Sequence, residues 1–169
     1  MKGIGAILIF ISTAALALMK RRKDTERIRT LQALCLALDT ISGELELNAC
    51  PLQQLFGICE SNLPSPADRF FRELGKRMFE LGNKRLSDLW QETSCMCLEA
   101  ITEDERAEWL RIGMVLGRYS AAEQAAAVRK SRGVLEAALQ ESQRRLPEKT
   151  RMYFGLGAAA SILIVVVLV

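Results

Sequence analysis

Five cysteines, at positions 35, 50, 59, 95 and 97, are the side chains best able to act as nucleophiles or metal ligands. Their odd number and irregular spacing do not make a disulfide framework. A zinc site needs paired cysteines or histidines; the chain has no histidine and no C-x-x-C, and Cys95-Met96-Cys97 stands alone. The missing histidine also removes the commonest general base. Glycines at 75, 82, 113 and 117 are spaced as helix contacts and helix stops, not as a phosphate-binding loop. The run Glu103-Asp104-Glu105 falls in a predicted first helical turn, where acids complement the dipole. Glu44 and Glu46 read either as a solvated face or as a carboxylate site. Arg118-Tyr119, just after Gly117, reads either as a helix-end arginine satisfying carbonyls beside a packed tyrosine, or as a protein-contact hot spot. No catalytic residue, cofactor site or metal site emerges; what remains is surface for protein contact.

The elements that would present such a surface lie between two uncharged apolar runs. Residues 3–19 are followed by Lys20-Arg21-Arg22-Lys23, and residues 152–169 are preceded by Arg144, Arg145, Lys149 and Arg151. At 1.5 Å per residue, either run reaches about 26 Å as a helix, enough for a hydrocarbon core. Basic residues beside a membrane segment mark the cytoplasmic side. Both flanks therefore place the middle of the chain in the cytoplasm and both termini outside. A cleaved signal peptide is the alternative for the first run, with Ala14-Ala15-Leu16-Ala17 as small residues. The four cations directly after it oppose export and favour an uncleaved anchor.

A formal net charge of +3 conceals an uneven distribution. Within 24–143 there are 14 Lys or Arg against 19 Asp or Glu, a balance of −5. An acidic body argues against a nucleic-acid partner. The basic collars instead suit anionic headgroups of a lipid bilayer and control of topology. Cysteines of a cytoplasmic domain stay reduced and serve as small apolar fillers.

Between the collars the periodicity is helical throughout. Ile28, Leu31, Cys35, Leu38 and Leu45 form the first stripe, continuous with the first apolar run and ended near Pro51. A short helix near 51–60 presents Leu52, Leu55, Phe56 and Cys59. Ser65-Pro66-Ala67-Asp68 predicts a serine-capped start for a helix that buries Phe70, Phe71, Leu74, Met78 and Leu81 and stops at Gly82-Asn83. A fourth helix near 85–101 carries Leu89, Trp90 and Cys97. Thr102-x-x-Glu105 and Ser120-x-x-Glu123 are capping boxes that open a fifth helix, with Trp109, Ile112 and Gly113, and a sixth over about 120–146. Arg132 falls on the apolar stripe of the sixth, either snorkelling or paired with an acid. Pro147 predicts a kink or a one-turn break before the last run. The expected fold is all-α, an antiparallel bundle of about six helices (24–148) between transmembrane helices at 3–19 and 152–169.

This layout resembles the stage III sporulation protein AB family of endospore-forming bacteria. Arg29-Thr30-Leu31-Gln32-Ala33-Leu34 through Leu38, Ile41, Glu44 and Leu45 to Pro51-Leu52 is similar to the family's opening helix. Leu116-Gly117-Arg118-Tyr119-Ser120 with Gln124 is similar to its Leu-Gly turn followed by a glutamine. Lys149 and Leu156-Gly157 fit its ending. Ser120 stands where the family pattern expects aspartate, an exchange that keeps a capping oxygen, and Pro147 departs from it. The resemblance implies a non-enzymatic membrane platform component, similar to those of type II secretion and type IV pilus machines, in the channel between mother cell and forespore. It implies location in the outer forespore membrane on the mother-cell side. The implied partners are other channel membrane proteins and a hexameric secretion-type ATPase of the same operon, with no nucleic acid and no small-molecule substrate. The contact residues it selects are Glu44, Glu46, Arg118 and Tyr119. A platform of another secretion or pilus system, a membrane-tethered regulator and a membrane enzyme using Cys95 or Cys97 are the competing readings.

Overall fold

The computed structural model describes the backbone of residues 2–47 and 50–168 and the side chains of residues 18–47 and 50–145. Those described residues are all-helical. The elements are α1 (Lys2–Leu47), α2 (Leu52–Asn62), α3 (Ala67–Lys76), a 3-10 turn (Met78–Glu80), α4 (Leu86–Cys97), α5 (Glu103–Val115) and α6 (Ala121–Leu168). Two compact units divide the chain: residues 27–139, and residues 1–26 with 140–169. Both apolar runs expected to span a membrane, 3–19 and 152–169, lie almost wholly outside the side chains described. Among the described residues no helix is long and apolar enough to cross a membrane. The first run continues into α1 without interruption, as its lack of a breaker predicts. Pro147, by contrast, lies within α6 and does not divide it into two elements, so the one-turn break is not formed.

The unit of residues 27–139 is a helical bundle around one core. α1 contributes Leu31, Leu34, Leu38, Ile41 and Leu45; the other helices add Leu55, Phe56, Leu74, Leu89, Ile112, Val128 and Leu135. At its centre five aromatic rings interlock. Phe70 meets Trp90 edge-on at 4.8 Å between centroids and Trp109 at 5.3 Å, while Trp90 and Trp109 lie 5.1 Å apart. Phe56 and Phe71 complete the group. Edge-to-face contacts of this kind stabilise by about 0.5–1.5 kcal/mol beyond simple burial. The Trp90 indole donates to the Trp109 carbonyl at 3.1 Å, tying α4 to α5. Trp90 comes this close to α5 because residue 113 has no side chain: a Cβ there would sit 2.6 Å from Trp90 Cγ.

Helix ends follow local chemistry with one exception. Thr102 and Glu105 form the full reciprocal capping box, and Ser120 and Glu123 do likewise. At α3 the expected serine cap is absent. The amides of Ala67 and Asp68 are already taken by the Pro64 carbonyl, at 3.0 and 3.4 Å, leaving Ser65 no role there. That helix also ends earlier than its apolar pattern predicts. Arg77 pairs with Glu80 in the 3-10 turn and with Glu92 across on α4, while Lys76 takes Glu73. The tighter turn rotates Phe79 and Leu81 out of the core register, and both are exposed. At the far end of α4, Arg106 on α5 donates to the carbonyls of Ser94 and Leu98 at 3.2 and 2.8 Å, capping orphan acceptors.

Two further polar ties fix α5 against its neighbours. Ser131 on α6 donates to Glu108 at 2.7 Å. Arg27 on α1 reaches the buried Glu105, with Nη2 2.5 Å from Oε1 and Nε 3.2 Å from both oxygens. Burial alone would raise the Glu105 pKa; the Arg27 guanidinium and the Thr102 amide outweigh it and hold the carboxyl below its ordinary value. A group depressed in this way stabilises the fold above the unfolded carboxyl pKa, about 4.3. It loses that contribution as pH falls through and below that value.

Two predictions follow from this frame. Gly113→Ala should destabilise the bundle by about 1–3 kcal/mol through overpacking against Trp90. Gly133→Ala, whose new methyl meets no atom within 4 Å, should stabilise it by roughly 0.5–1 kcal/mol. Denaturant unfolding read by emission of Trp90 and Trp109 measures both, and shifts of the same sign would contradict the packing described. Separately, Arg27→Met should lower stability at pH 7 by about 1–3 kcal/mol, since it strands a buried carboxylate. The deficit should narrow below about pH 4; a deficit that is flat with pH would assign the loss to packing instead of charge.

Candidate protein-contact end of the bundle

The end of α1, the start of α2 and the turn from α5 into α6 lie together at one end of the bundle. The α5–α6 turn is set by Gly117, whose φ of +78° is the left-handed conformation that glycine adopts without strain. A Cβ at this position would also lie 3.1 Å from Leu52 Cδ1, so the turn rests against the start of α2. Gln124, buried in the first turn of α6, fixes the loop from inside. Its Oε1 accepts from the Gly117 amide at 3.0 Å, and its Nε2 donates to the Tyr119 carbonyl at 2.6 Å.

Held this way, the turn presents its two central side chains outward. Tyr119 is 57% exposed, so it is not a packed tyrosine. Arg118 is exposed and forms no ion pair among the described residues; its amide, not its side chain, donates to the Val115 carbonyl. Neither part of the helix-cap reading, an arginine side chain satisfying carbonyls or a packed tyrosine, is formed among the described residues. Leu47, at 83% exposure, and Met114 add apolar surface at the same helix ends. Neither was singled out by periodicity. Leu47 carries a readable signal, because two residues after Leu45 it faces the opposite side of α1 from the core.

The two glutamates are placed differently. Glu46 is exposed and paired with Arg129 on α6. Glu44 is half-buried and engaged. Two turns before Glu46 on α1, Asp39 is bound by Arg132, with Nε 2.9 Å from Oδ1, and Arg132 also binds Glu136 on its own helix. Arg132 thus pairs with acids instead of snorkelling. Glu46 and the Arg118-Tyr119 turn share one end of the bundle, linked through Leu52 and Arg129, with no hydrogen bond or ion pair between them among the described contacts. This end is an apolar and aromatic surface with one free guanidinium, edged by acids whose charge is already partly matched.

Of the five cysteines, Cys35, Cys50 and Cys59 are buried as small apolar fillers, Cys97 is half-buried, and Cys95 is exposed and so is not a filler. Burial pushes Cys35 up to about 11 and Cys59 up to about 12, and it raises Cys50 and Cys97 as well. Among the described residues no group of three Cys, Asp or Glu side chains is arranged to hold a metal ion.

Gln124→Ala should cost about 1–3 kcal/mol, because it leaves the Gly117 amide and the Tyr119 carbonyl without their partner. Amide exchange across 117–120 should accelerate in this variant. Unchanged protection would mean that the turn holds itself and that Gln124 is dispensable.

Comparison with known proteins agrees with this all-helical frame. The family profile described as stage III sporulation protein AB matches residues 2–169. A search of curated proteins found no match. Among solved structures, one titled stage III sporulation protein AB (SpoIIIAB) superposes with a TM-score of 0.63 at 18% sequence identity, covering 72% of this chain and 97% of its own. At that identity the likeness concerns the fold. The family rests on the profile match over nearly the whole sequence: the chain belongs to the stage III sporulation protein AB family.

Proposed function

We propose that this sporulation protein is a non-enzymatic platform subunit, anchored in the outer forespore membrane on the mother-cell side. In this reading residues 24–148 form an antiparallel cytoplasmic bundle between terminal spans at 3–19 and 152–169. The bundle docks a hexameric secretion-type ATPase, and the spans engage other membrane proteins of the channel. Family membership supports the sporulation setting. The inner basic flanks of two apolar runs support the topology.

The observation that carries the docking step is the turn at Arg118-Tyr119: a free guanidinium and an exposed aromatic ring on a braced loop. Arginine and tyrosine are the residue types that dominate protein–protein hot spots. Glu46 and Glu44 would set the rim, where charge governs encounter rate more than affinity. Arg118 calls for a carboxylate on the partner surface that faces this turn.

Gel filtration with light scattering, using the full chain in detergent and the ATPase with and without nucleotide, tests the reading. Co-migration is expected, weakened at least about tenfold by Arg118→Glu or Tyr119→Ala and less by Glu46→Lys. A folded chain that binds in neither nucleotide state would remove ATPase docking from the function.

A further inference from the structure

The basic ring at the start of the chain behaves unlike the cations of the bundle. Between residues 27 and 139 most cations are neutralised: Arg27 by Glu105, Arg72 by Glu60 and Asp68, Arg77 by Glu80 and Glu92, Arg129 by Glu46. Lys20, Arg21, Arg22 and Lys23 are all exposed, and none has an acidic partner among the described residues. Arg145 in the second collar, by contrast, is bound to Glu141.

Geometry narrows what can match the ring on α1. Four successive helical residues project at 100° intervals and so cover a full turn of 3.6 residues. Positive charge therefore faces every side of α1 at this level, whereas a docked protein or a nucleic-acid duplex would neutralise one side only. Immediately before the ring, Leu18 and Met19 are each 60% exposed. An apolar segment that gives way within one residue to a complete ring of cations has the profile of the hydrocarbon-to-phosphate boundary of a bilayer. We infer that Lys20, Arg21, Arg22 and Lys23 form a binding ring for anionic phospholipid headgroups, selecting phosphatidylglycerol-type lipids over zwitterionic ones. This rests on the membrane-anchored reading above and adds to it a lipid preference, which spanning alone does not require.

Spin-labelled phosphatidylglycerol and spin-labelled phosphatidylcholine, each in trace in phosphatidylcholine vesicles holding the full chain, report the fraction of lipid immobilised on the protein. The labelled phosphatidylglycerol should associate at least about fivefold more strongly, the factor expected from a single cation near the surface. The preference should collapse toward unity in the variant combining Lys20→Gln, Arg21→Gln, Arg22→Gln and Lys23→Gln. It should survive in the charge-keeping variant combining Lys20→Arg, Arg21→Lys, Arg22→Lys and Lys23→Arg. High salt should weaken it, with phosphate no more effective than chloride at equal ionic strength. Equal association of the two lipids, or a preference untouched by the four glutamines, would overturn the inference while leaving the anchor intact. Absence of an immobilised component with either label would overturn the anchor and the lipid ring together.

Discussion

The contact between Trp90 and the bare backbone at Gly113 is the constraint on which the bundle depends. It sets the separation of α4 and α5 and aligns the Trp90 indole with the Trp109 carbonyl. It also leaves room for Phe70 to stand edge-on to both indoles. Phe70 and Phe71 belong to α3 and Phe56 to α2, so four helices are referenced to one aromatic centre. The arrangement has a cost: the indole nitrogen of Trp109 and the hydroxyl of Thr93 are buried without a hydrogen-bond partner among the described residues. Such groups destabilise by about 1–3 kcal/mol each, which the ring contacts and the burial of the two indoles must exceed.

Around that centre, polar ties assign neighbours in a way that apolar burial, being non-directional, does not. Glu105 recruits α1 through Arg27, Glu108 recruits α6 through Ser131, and Arg129 and Arg132 join α6 to α1. Each pair connects residues more than twenty positions apart, so together they specify which helix lies beside which. The exposed pairs add little stability individually. Their value lies in orientation, and the same accounting explains why unmatched cations stand out where they occur.

Legibility in the sequence followed the range of the interaction. Capping boxes at Thr102 and Ser120 act over three residues, and both were readable. The apolar stripes of α1, α4 and α5 likewise gave the core faces, because a period of 3.6 is a local property. The end of α3 was not readable: Glu92, fifteen residues on, draws Arg77 aside and a 3-10 turn replaces the last helical turn. Ser65 lost its capping role to a backbone carbonyl that no side-chain pattern announces. At the candidate site, Arg118 and Tyr119 were legible as residue types, but their exposure was not, since it depends on Gln124 reaching back across the turn. Glu44 and Glu46 looked equivalent in sequence, yet helical geometry turns one partly inward and the other toward Arg129.

The bracing by Gln124 has a consequence for the energetics of any encounter at that turn. Ordering a mobile loop on binding consumes part of the interaction energy. Here the loop surrenders its freedom when the chain folds, because both arms of one buried amide side chain are committed to its backbone. A partner therefore meets a surface whose backbone entropy has already been lost. Differences in affinity at this turn should then appear in how slowly the complex separates, not in how quickly it forms.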